Sequence, residues 1–385
     1  MELFFSDHAY NKMLSKAGLK VDGIGGQLKS VIVALGFCWL PLAIITLIQH
    51  NFWTGNVTNS FITSFDTQAR LLITVPILIF SERIVNLKLG KLLAQFTSSG
   101  IVRNEDIECF NQIINNQVKF MKSGWVDLIV FTLCYLQVFL ILFYAKENTH
   151  MLDWGLNNDH QSLNLAGLWS TIISKPFVLY LVYSWMLRIA FWGVILYKIT
   201  RLNLNLFPPH PDLVGGLGFL PYSIQYFSPV ALAFSAIVAG NIADFVLMEG
   251  SHVLDFKFIV IAYFAFITVL FVFPMMFFVD KLTNAREQSI FENNDYANGI
   301  FRELQYKVAL KGYNQVTADD MGTPEFSTVC DMSGVFSNVL NMQTFPFTFK
   351  DLLPLWGMAA LPFVFVILIE FPIIQVLKTV LSMLV

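Results

Sequence analysis

The residues best suited to chemistry lie in one short stretch, 207–221, which reads FPPHPDLVGGLGFLP. Its four prolines and three glycines exclude a regular helix. A histidine and an aspartate stand two positions apart on a backbone stiffened by the proline between them, so they form a fixed polar pair. The glycines permit positive φ angles or close backbone approach. The candidate site residues are His210, Asp212, Gly215, Gly216 and Gly218.

Two interpretations of this stretch remain open. It could be a gate, filter or binding loop in which His210 and Asp212 offer charge and hydrogen bonds. It could equally be a tight connector in which Asp212 caps the next turn and His210 bonds a carbonyl. The stretch lacks the G-x-x-x-x-G-K-[ST] pattern of a phosphate loop, and one His with one Asp does not make a metal site. We therefore predict no metal and no cofactor, and we assign no catalytic residue.

A second group of candidates consists of polar residues inside apolar stretches, namely Arg188, Asn241 and Asp244. Such residues are costly in lipid and usually face a partner or water. An Arg188–Asp244 pair is one hypothesis, and a structural polar clamp between helices is the other. Glu82, Arg83 and Glu370 fall near the ends of apolar stretches, where anchoring at the membrane interface is expected.

The composition indicates the environment of the helices that carry these residues. Of 385 residues 56% are hydrophobic and only 13% are charged, whereas a soluble domain has about 25% charged residues. Mean hydropathy is +0.61, and the chain contains 38 Phe. So little charge cannot cover a water-exposed surface, so lipid must cover much of it. The net charge of −3 gives no field that would attract nucleic acid.

Apolar stretches of about 20 residues predict membrane-spanning helices, so the expected fold class is all-α, a polytopic transmembrane bundle. The seven predicted spans are 30–48, 69–85, 126–144, 176–199, 227–248, 256–279 and 352–368. The second is short and ends in Ser81-Glu82-Arg83. With the N-terminus inside and all seven retained, most of the 24 Lys and Arg fall on the cytoplasmic side, as basic residues do in inner and plasma membranes.

These spans divide the chain into six predicted parts. They are a cytoplasmic N-terminal segment (1–29), the first two spans (30–85), a cytoplasmic helical segment (86–125), spans three to six with the loop at 207–221 (126–279), a cytoplasmic helical region (280–350), and a last span with an interfacial helix (351–385).

The cytoplasmic region after the sixth span carries apolar residues at helical spacing, which predict a helix that continues this span. The stripe comprises Ile290, Ala297, Ile300, Leu304 and Val308. A second helix is expected from Glu325 to Met342. The run 371–385 is too short to cross a bilayer alone, so it either lies in the outer interface or continues the last span with a kink.

The string His210-Pro211-Asp212-x-x-Gly-Gly-Leu-Gly-Phe-Leu resembles one found in multi-pass inner-membrane proteins of bacteria whose activity is uncharacterised. The resemblance covers about a dozen residues. It implies a bacterial inner membrane and brings no activity or residue role with it.

Three function classes fit these patterns. The leading hypothesis is an oligomeric channel or transporter-like protein for ions or small solutes, regulated by its cytoplasmic helices. Few polar residues and no internal repeat occur in the spans, which favours a passive pore between subunits over a coupled transporter. The alternatives are a membrane-embedded enzyme that uses His210 and Asp212, and a sensor or effector in signalling or defence. Expected partners are membrane lipids, further copies of the chain and a cytoplasmic protein.

Overall fold

The computed structural model describes residues 23–55, 60–144, 154–157, 162–248, 250–311 and 324–370. Within these ranges the regular elements are helices, and no strand occurs among them. The α-helices are α1 (Gly23–Cys38), α2 (Leu40–Ile48), α3 (Phe65–Gln68), α4 (Val75–Ser98), α5 (Ile107–Met121), α6 (Gly124–Tyr144), α7 (Leu165–Trp169), α8 (Lys175–Ile199), α9 (Tyr222–Met248), α10 (Lys257–Met276), α11 (Val279–Lys311), α12 (Pro324–Leu340) and α13 (Phe349–Glu370).

Several of these helices are long and apolar enough to cross a membrane, which confirms an all-α membrane protein. Five qualify among the described residues, namely Gly23–Ile48, Leu165–Ile199, Tyr222–Met248, Val253–Met276 and Phe349–Glu370. A sixth results if the pair Asn104–Met121 and Gly124–Leu140, bent by 48°, forms one span. The predicted span at 69–85 lies in a continuous helical run from Phe65 to Ser98 that includes Arg70, Glu82 and Arg83. The count of seven is therefore not confirmed.

Helix α9 lies at the centre of the bundle, packed against α13 on one side and α4 on another. Its buried face consists largely of small residues, which let neighbouring backbones approach closely. A Cβ atom at Gly240 would lie 2.8 Å from the Cβ of Ala69 and 3.0 Å from the carbonyl oxygen of Phe65. The absent side chain at this position therefore sets the distance between α9 and the start of the Phe65–Ser98 run.

Two of the long helices begin with a wide turn of the π type, at Ala69–Thr74 and Ser170–Ser174. Each turn is followed two residues later by a proline, Pro76 or Pro176. Proline removes one backbone donor from a helix, and a wide turn is a common way to accommodate the change in hydrogen bonding. Both helices thus have the same local irregularity, which the sequence patterns had not suggested.

The hydroxyl at the end of each wide turn bonds a neighbouring helix. Thr74 Oγ1 donates to the carbonyl of Ala233 in α9 at 3.0 Å. Ser174 Oγ donates to the carbonyl of Cys38 at 2.8 Å, where α1 ends. Both hydroxyls are buried, so each bond satisfies a polar group inside the bundle and ties two helices together.

The region after α10 matches the predicted helical extension. Helix α11 follows α10 after a break of two residues and packs against α12. The side chains of Ile290, Ala297, Ile300 and Val308 are half-buried, and that of Leu304 lies outside the described residues. The second helix runs from Pro324 to Leu340, close to the predicted Glu325–Met342. The segment 371–385 also lies outside the described residues.

Candidate functional site

The stretch 207–221, here called the HPD loop, joins α8 to α9 at one end of the bundle, which we call the loop end. The chain enters it beside the turn that follows α4, since the backbone N–H of Asn205 donates to the carbonyl of Ile101 at 2.7 Å. Two successive turns then form, in which the N–H of His210 donates to Phe207 and the N–H of Leu213 donates to His210. The loop is thus a fixed structure attached to the end of α4.

The Asp212 carboxylate holds this backbone together. Its Oδ1 accepts the N–H groups of Val214 at 2.9 Å and Gly216 at 3.1 Å, and its Oδ2 accepts the N–H of Gly218 at 2.9 Å. Burial by itself would raise the pKa of this carboxyl, but the three N–H donors, helped by His210, outweigh burial and hold the pKa below its usual range. Asp212 is therefore an anion at neutral pH, and the geometry corresponds to the connector interpretation.

The imidazole of His210 forms a dyad with Asp212. The Asp212 backbone N–H donates to its Nδ1 at 3.2 Å, and Nδ1 also lies 2.9 Å from Asp212 Oδ1. Because Nδ1 accepts this N–H, we assign the proton of the neutral ring to Nε2. The expected bond from His210 to a carbonyl is replaced by this contact. The ring is 45% exposed, and in neutral imidazole its protonated Nε2 is then a hydrogen-bond donor.

The three glycines are required by the loop geometry. Gly215 and Gly216 have φ angles of 66° and 94°, which residues with a Cβ rarely adopt. A Cβ on Gly218 would lie 3.0 Å from both Cβ and Oδ2 of Asp212. The backbone at Gly218 therefore approaches the carboxylate as closely as its hydrogen bond requires.

All five predicted site residues line one pocket of about 590 Å³, here called the loop-end pocket. Sequence reasoning missed the other walls, because no motif marks them. Outside the HPD loop these walls are Gln95, Ser99, Ile101, Asn205 and Tyr222, and the loop itself adds Phe207 and Phe219. The pocket thus combines hydroxyl, amide and imidazole groups with aromatic rings, which is typical of a site for a small polar molecule.

The end of α12 and the residues that follow it contact the HPD loop directly. The side-chain amide of Asn338 donates to the carbonyl of Pro209 at 3.1 Å. The backbone N–H of Gln343 donates to the carbonyl of Leu213 at 2.7 Å. A Cβ on Gly215 would lie 3.1 Å from the terminal methyl of Met342. A movement of α12 would therefore be transmitted to the loop.

The intramembrane candidates do not join this pocket, and the hypothesised Arg188–Asp244 pair is wrong. Arg188 Nη2 instead lies 2.8 Å from Oε1 of Glu82, with its guanidinium 4.7 Å from the Trp185 ring centroid. The side chains of Arg188 and Glu82 are only 4% and 17% exposed. Glu82 is therefore not an interfacial anchor but one half of a buried ion pair between α4 and α8.

Asp244 caps a helix at the end of the bundle remote from the HPD loop, which we call the far end. Its two carboxylate oxygens accept the N–H groups of Phe65 at 2.7 Å and Asp66 at 3.1 Å. Asn241 donates to the carbonyl of Ile237 one turn earlier in α9. Asp244 therefore joins α9 to α3, as a polar clamp between helices requires, whereas the bond of Asn241 stays within α9.

Glu370 also lies at the far end and joins two helix ends. Its Oε1 lies 2.8 Å from Nδ1 of His252, and its Oε2 accepts the N–H of Val253 at 2.7 Å. The end of α13 is thereby attached to the start of the Val253–Met276 span.

The described residues thus define a helical, multi-pass membrane protein with a polar pocket at one end. Comparisons of the chain with family models, with curated proteins and with solved structures find no significant match. Among the residues that the structure describes, no group of three or more His, Cys, Asp or Glu side chains could hold a metal ion.

Proposed function

We propose that the chain is a channel or transporter-like protein that passes an ion or small solute and is regulated through the HPD loop. The observation that carries this proposal is the loop-end pocket, a cavity with several polar groups in its wall at one end of a bundle of apolar helices. In the proposal, solute occupies this pocket and contacts His210, Asn205 and Tyr222.

The contacts of α12 support the regulatory part. Asn338 and Gln343 hold the carbonyls of Pro209 and Leu213, so a partner bound to α11 or α12 would act on the loop. By the predicted orientation these helices lie in the cytoplasm, and the resemblance of the HPD loop would place the chain in a bacterial inner membrane.

The intramembrane polar contacts suggest where the conducting path lies. Glu82 pairs with Arg188, and Asp244 and Asn241 bond backbone groups. Because these polar side chains are used within the bundle, the proposal places the path between copies of the chain in an oligomer.

The test is current or solute flux through the full chain reconstituted in lipid bilayers. Phe207→Ala and His210→Ala alter the pocket without removing the carboxylate that organises the loop, whereas Asp212→Ala would disturb the fold as well. The matched control is Phe301→Ala on α11, since Phe301 and Phe207 are 51% and 59% exposed. We expect discrete currents that both pocket variants change and the control does not. Folded protein that gives no flux in oligomeric form would contradict the proposal.

A second candidate is a membrane-embedded enzyme, favoured by the His210–Asp212 dyad. In this candidate the ring proton moves to Nδ1, where the Asp212 carboxylate stabilises it, and Nε2 accepts a proton from water or substrate, as in general-base catalysis. This candidate predicts turnover of an ester or phosphoester substrate that is lost in His210→Ala and kept in Phe301→Ala. If the protein turned over none of a set of ester and phosphoester substrates, the enzyme candidate would be rejected.

A further inference from the structure

A groove of about 780 Å³ opens between α6, α8 and α10. Every side chain that lines it is aliphatic or aromatic. It includes exposed side chains such as Val194 and Phe273 on the bundle surface, so it faces outward. We call it the lateral groove. Its volume lies within the range of small-molecule sites.

Two residues create the hollow. Gly193 in α8 has no side chain, and a Cβ there would lie 3.5 Å from the ring of Pro274 in α10. Ala190, one turn earlier, is also small and exposed. Larger residues at these two positions would fill the space between the helices.

A cation lies beside the groove at the loop end. Tyr197 lines the groove, and the Arg201 guanidinium lies 4.9 Å from its ring centroid. Arg201 Nη2 also donates to the Tyr197 hydroxyl at 2.5 Å. Arg201 is exposed and follows the end of α8 by two residues. Lys198, in the last turn of α8, is a second basic residue at this end, and Arg201 is in direct contact with the groove residue Tyr197.

We propose that the lateral groove binds an anionic phospholipid, with an acyl chain between α8 and α10 and the phosphate at Arg201. An apolar groove in a membrane-spanning bundle excludes water and suits a hydrocarbon chain. A guanidinium matches phosphate oxygens in geometry and charge, and basic residues at the ends of spans recognise anionic head groups. The site does not depend on the proposed function, since it shares no residue with the loop-end pocket.

Native mass spectrometry of the full chain in mild detergent tests this site. Phosphatidylglycerol and phosphatidylcholine would be added in parallel, and the bound fraction of each measured. Ala190→Phe fills the groove, and Val194→Phe is a second filling variant if the first folds poorly. Ala262→Phe is the matched control, since Ala262 is an exposed alanine on α10 outside the groove. Arg201→Gln removes the charge, with Arg302→Gln on α11 as its control.

We expect Arg201→Gln to weaken phosphatidylglycerol binding about fivefold, the effect of one basic residue at a membrane surface, and to weaken phosphatidylcholine binding less, because its choline offsets the phosphate charge. A filling variant should weaken both lipids, and the two controls neither. Equal loss in Ala190→Phe and Ala262→Phe would show that the groove is not the site. Equal binding by Arg201→Gln and Arg302→Gln would overturn recognition of the head group.

Discussion

Two carboxylates, Asp212 in the HPD loop and Glu82 in α4, are satisfied in opposite ways. Asp212 accepts backbone N–H groups two, four and six residues further along the chain. Glu82 pairs with Arg188, which is 106 residues away. The HPD loop is therefore stabilised by contacts within the loop itself, whereas the Glu82–Arg188 pair forms only when two helices pack together.

The two carboxylates also differ in what their removal leaves behind. Loss of Asp212 leaves three N–H groups without their acceptor at a partly exposed site. Loss of Glu82 leaves a charged guanidinium inside the bundle. The two carboxylates are almost equally exposed, 18% for Asp212 and 17% for Glu82, so the difference lies in the group left behind. A buried charge without its partner costs more than backbone N–H groups without an acceptor.

The largest effect is expected from Glu82→Ala, because it isolates the buried charge of Arg188. We expect a loss of about 3 kcal/mol in the free energy of unfolding, measured by denaturation in micelles. The double variant Glu82→Gln with Arg188→Met should regain most of that loss, since neither charge remains.

The exposed pair between Glu303 and Lys307 offers a matched control at 3.2 Å. Glu303→Ala should cost less than about 0.5 kcal/mol, because water screens exposed pairs. If Glu82→Ala were as stable as Glu303→Ala, the buried and the exposed carboxylate would contribute equally to the free energy of unfolding. That result would contradict a special role for the buried pair.

Asp212→Ala should come next, with a loss of about 2 kcal/mol, because three N–H groups lose a charged acceptor at a partly exposed site. Asp212→Asn should lose less, since its amide oxygen still accepts. Faster hydrogen exchange at the amides of Val214, Gly216 and Gly218 would localise the effect. The control Asp331→Ala on α12 should change none of these rates, and unchanged rates in Asp212→Ala would argue against the carboxylate as organiser of the loop.

The same carboxylate gives a pH dependence with a definite sign. Because the pKa of Asp212 is lowered in the folded chain, its stabilisation is present above the unfolded pKa of about 3.9 and is lost as pH falls through the folded pKa. The unfolding free energies of wild type and Asp212→Asn should therefore converge in acid. A difference that stays constant down to about pH 2 would contradict this linkage.

A smaller effect is expected from Asp244→Ala, which removes the cap at Phe65 and Asp66. Capping residues contribute about 1 kcal/mol. Asp244→Asn should keep part of this, since an Asn side chain also caps. Thermal unfolding should give a loss for Asp244→Ala that is smaller than that for Asp212→Ala and larger than that for Glu303→Ala. A loss above about 3 kcal/mol would indicate a second role for Asp244.

The smallest effect concerns His252, which is exposed and pairs with Glu370. The hydrogen bond and charge of Glu370 raise the pKa of His252 in the folded chain. Its contribution is complete below the unfolded pKa of about 6.5 and is lost as pH rises through the folded pKa. The melting temperatures of wild type and His252→Ala should differ at low pH and converge by about pH 9. Melting temperatures that agree at low pH and differ at about pH 9 would contradict a stabilising pair between His252 and Glu370.

Membrane class, helix content and the irregular backbone of the HPD loop were predictable from the residues. Four prolines and three glycines in fifteen positions dictate an irregular segment wherever it lies, and an aspartate before glycines is a local capping signal. The pocket walls Gln95 and Ser99 were not predictable, because they come from the end of α4, more than 100 residues earlier, and carry no motif. The partner of Arg188 was predicted wrongly for the same reason. The spacing of residues within one helix does not tell which residues of another helix lie at the same depth in the membrane.

The sequence by itself determined that the chain is helical and embedded in lipid, since 13% charged residues cannot cover a water-exposed surface. It also determined the HPD loop, because every contact that shapes Asp212 lies within six residues. Only the tertiary structure decided that Glu82 meets Arg188, that Asp244 caps a helix 178 residues away, and that α12 contacts the loop. Those contacts depend on the rotation and relative height of packed helices, which backbone periodicity leaves undetermined.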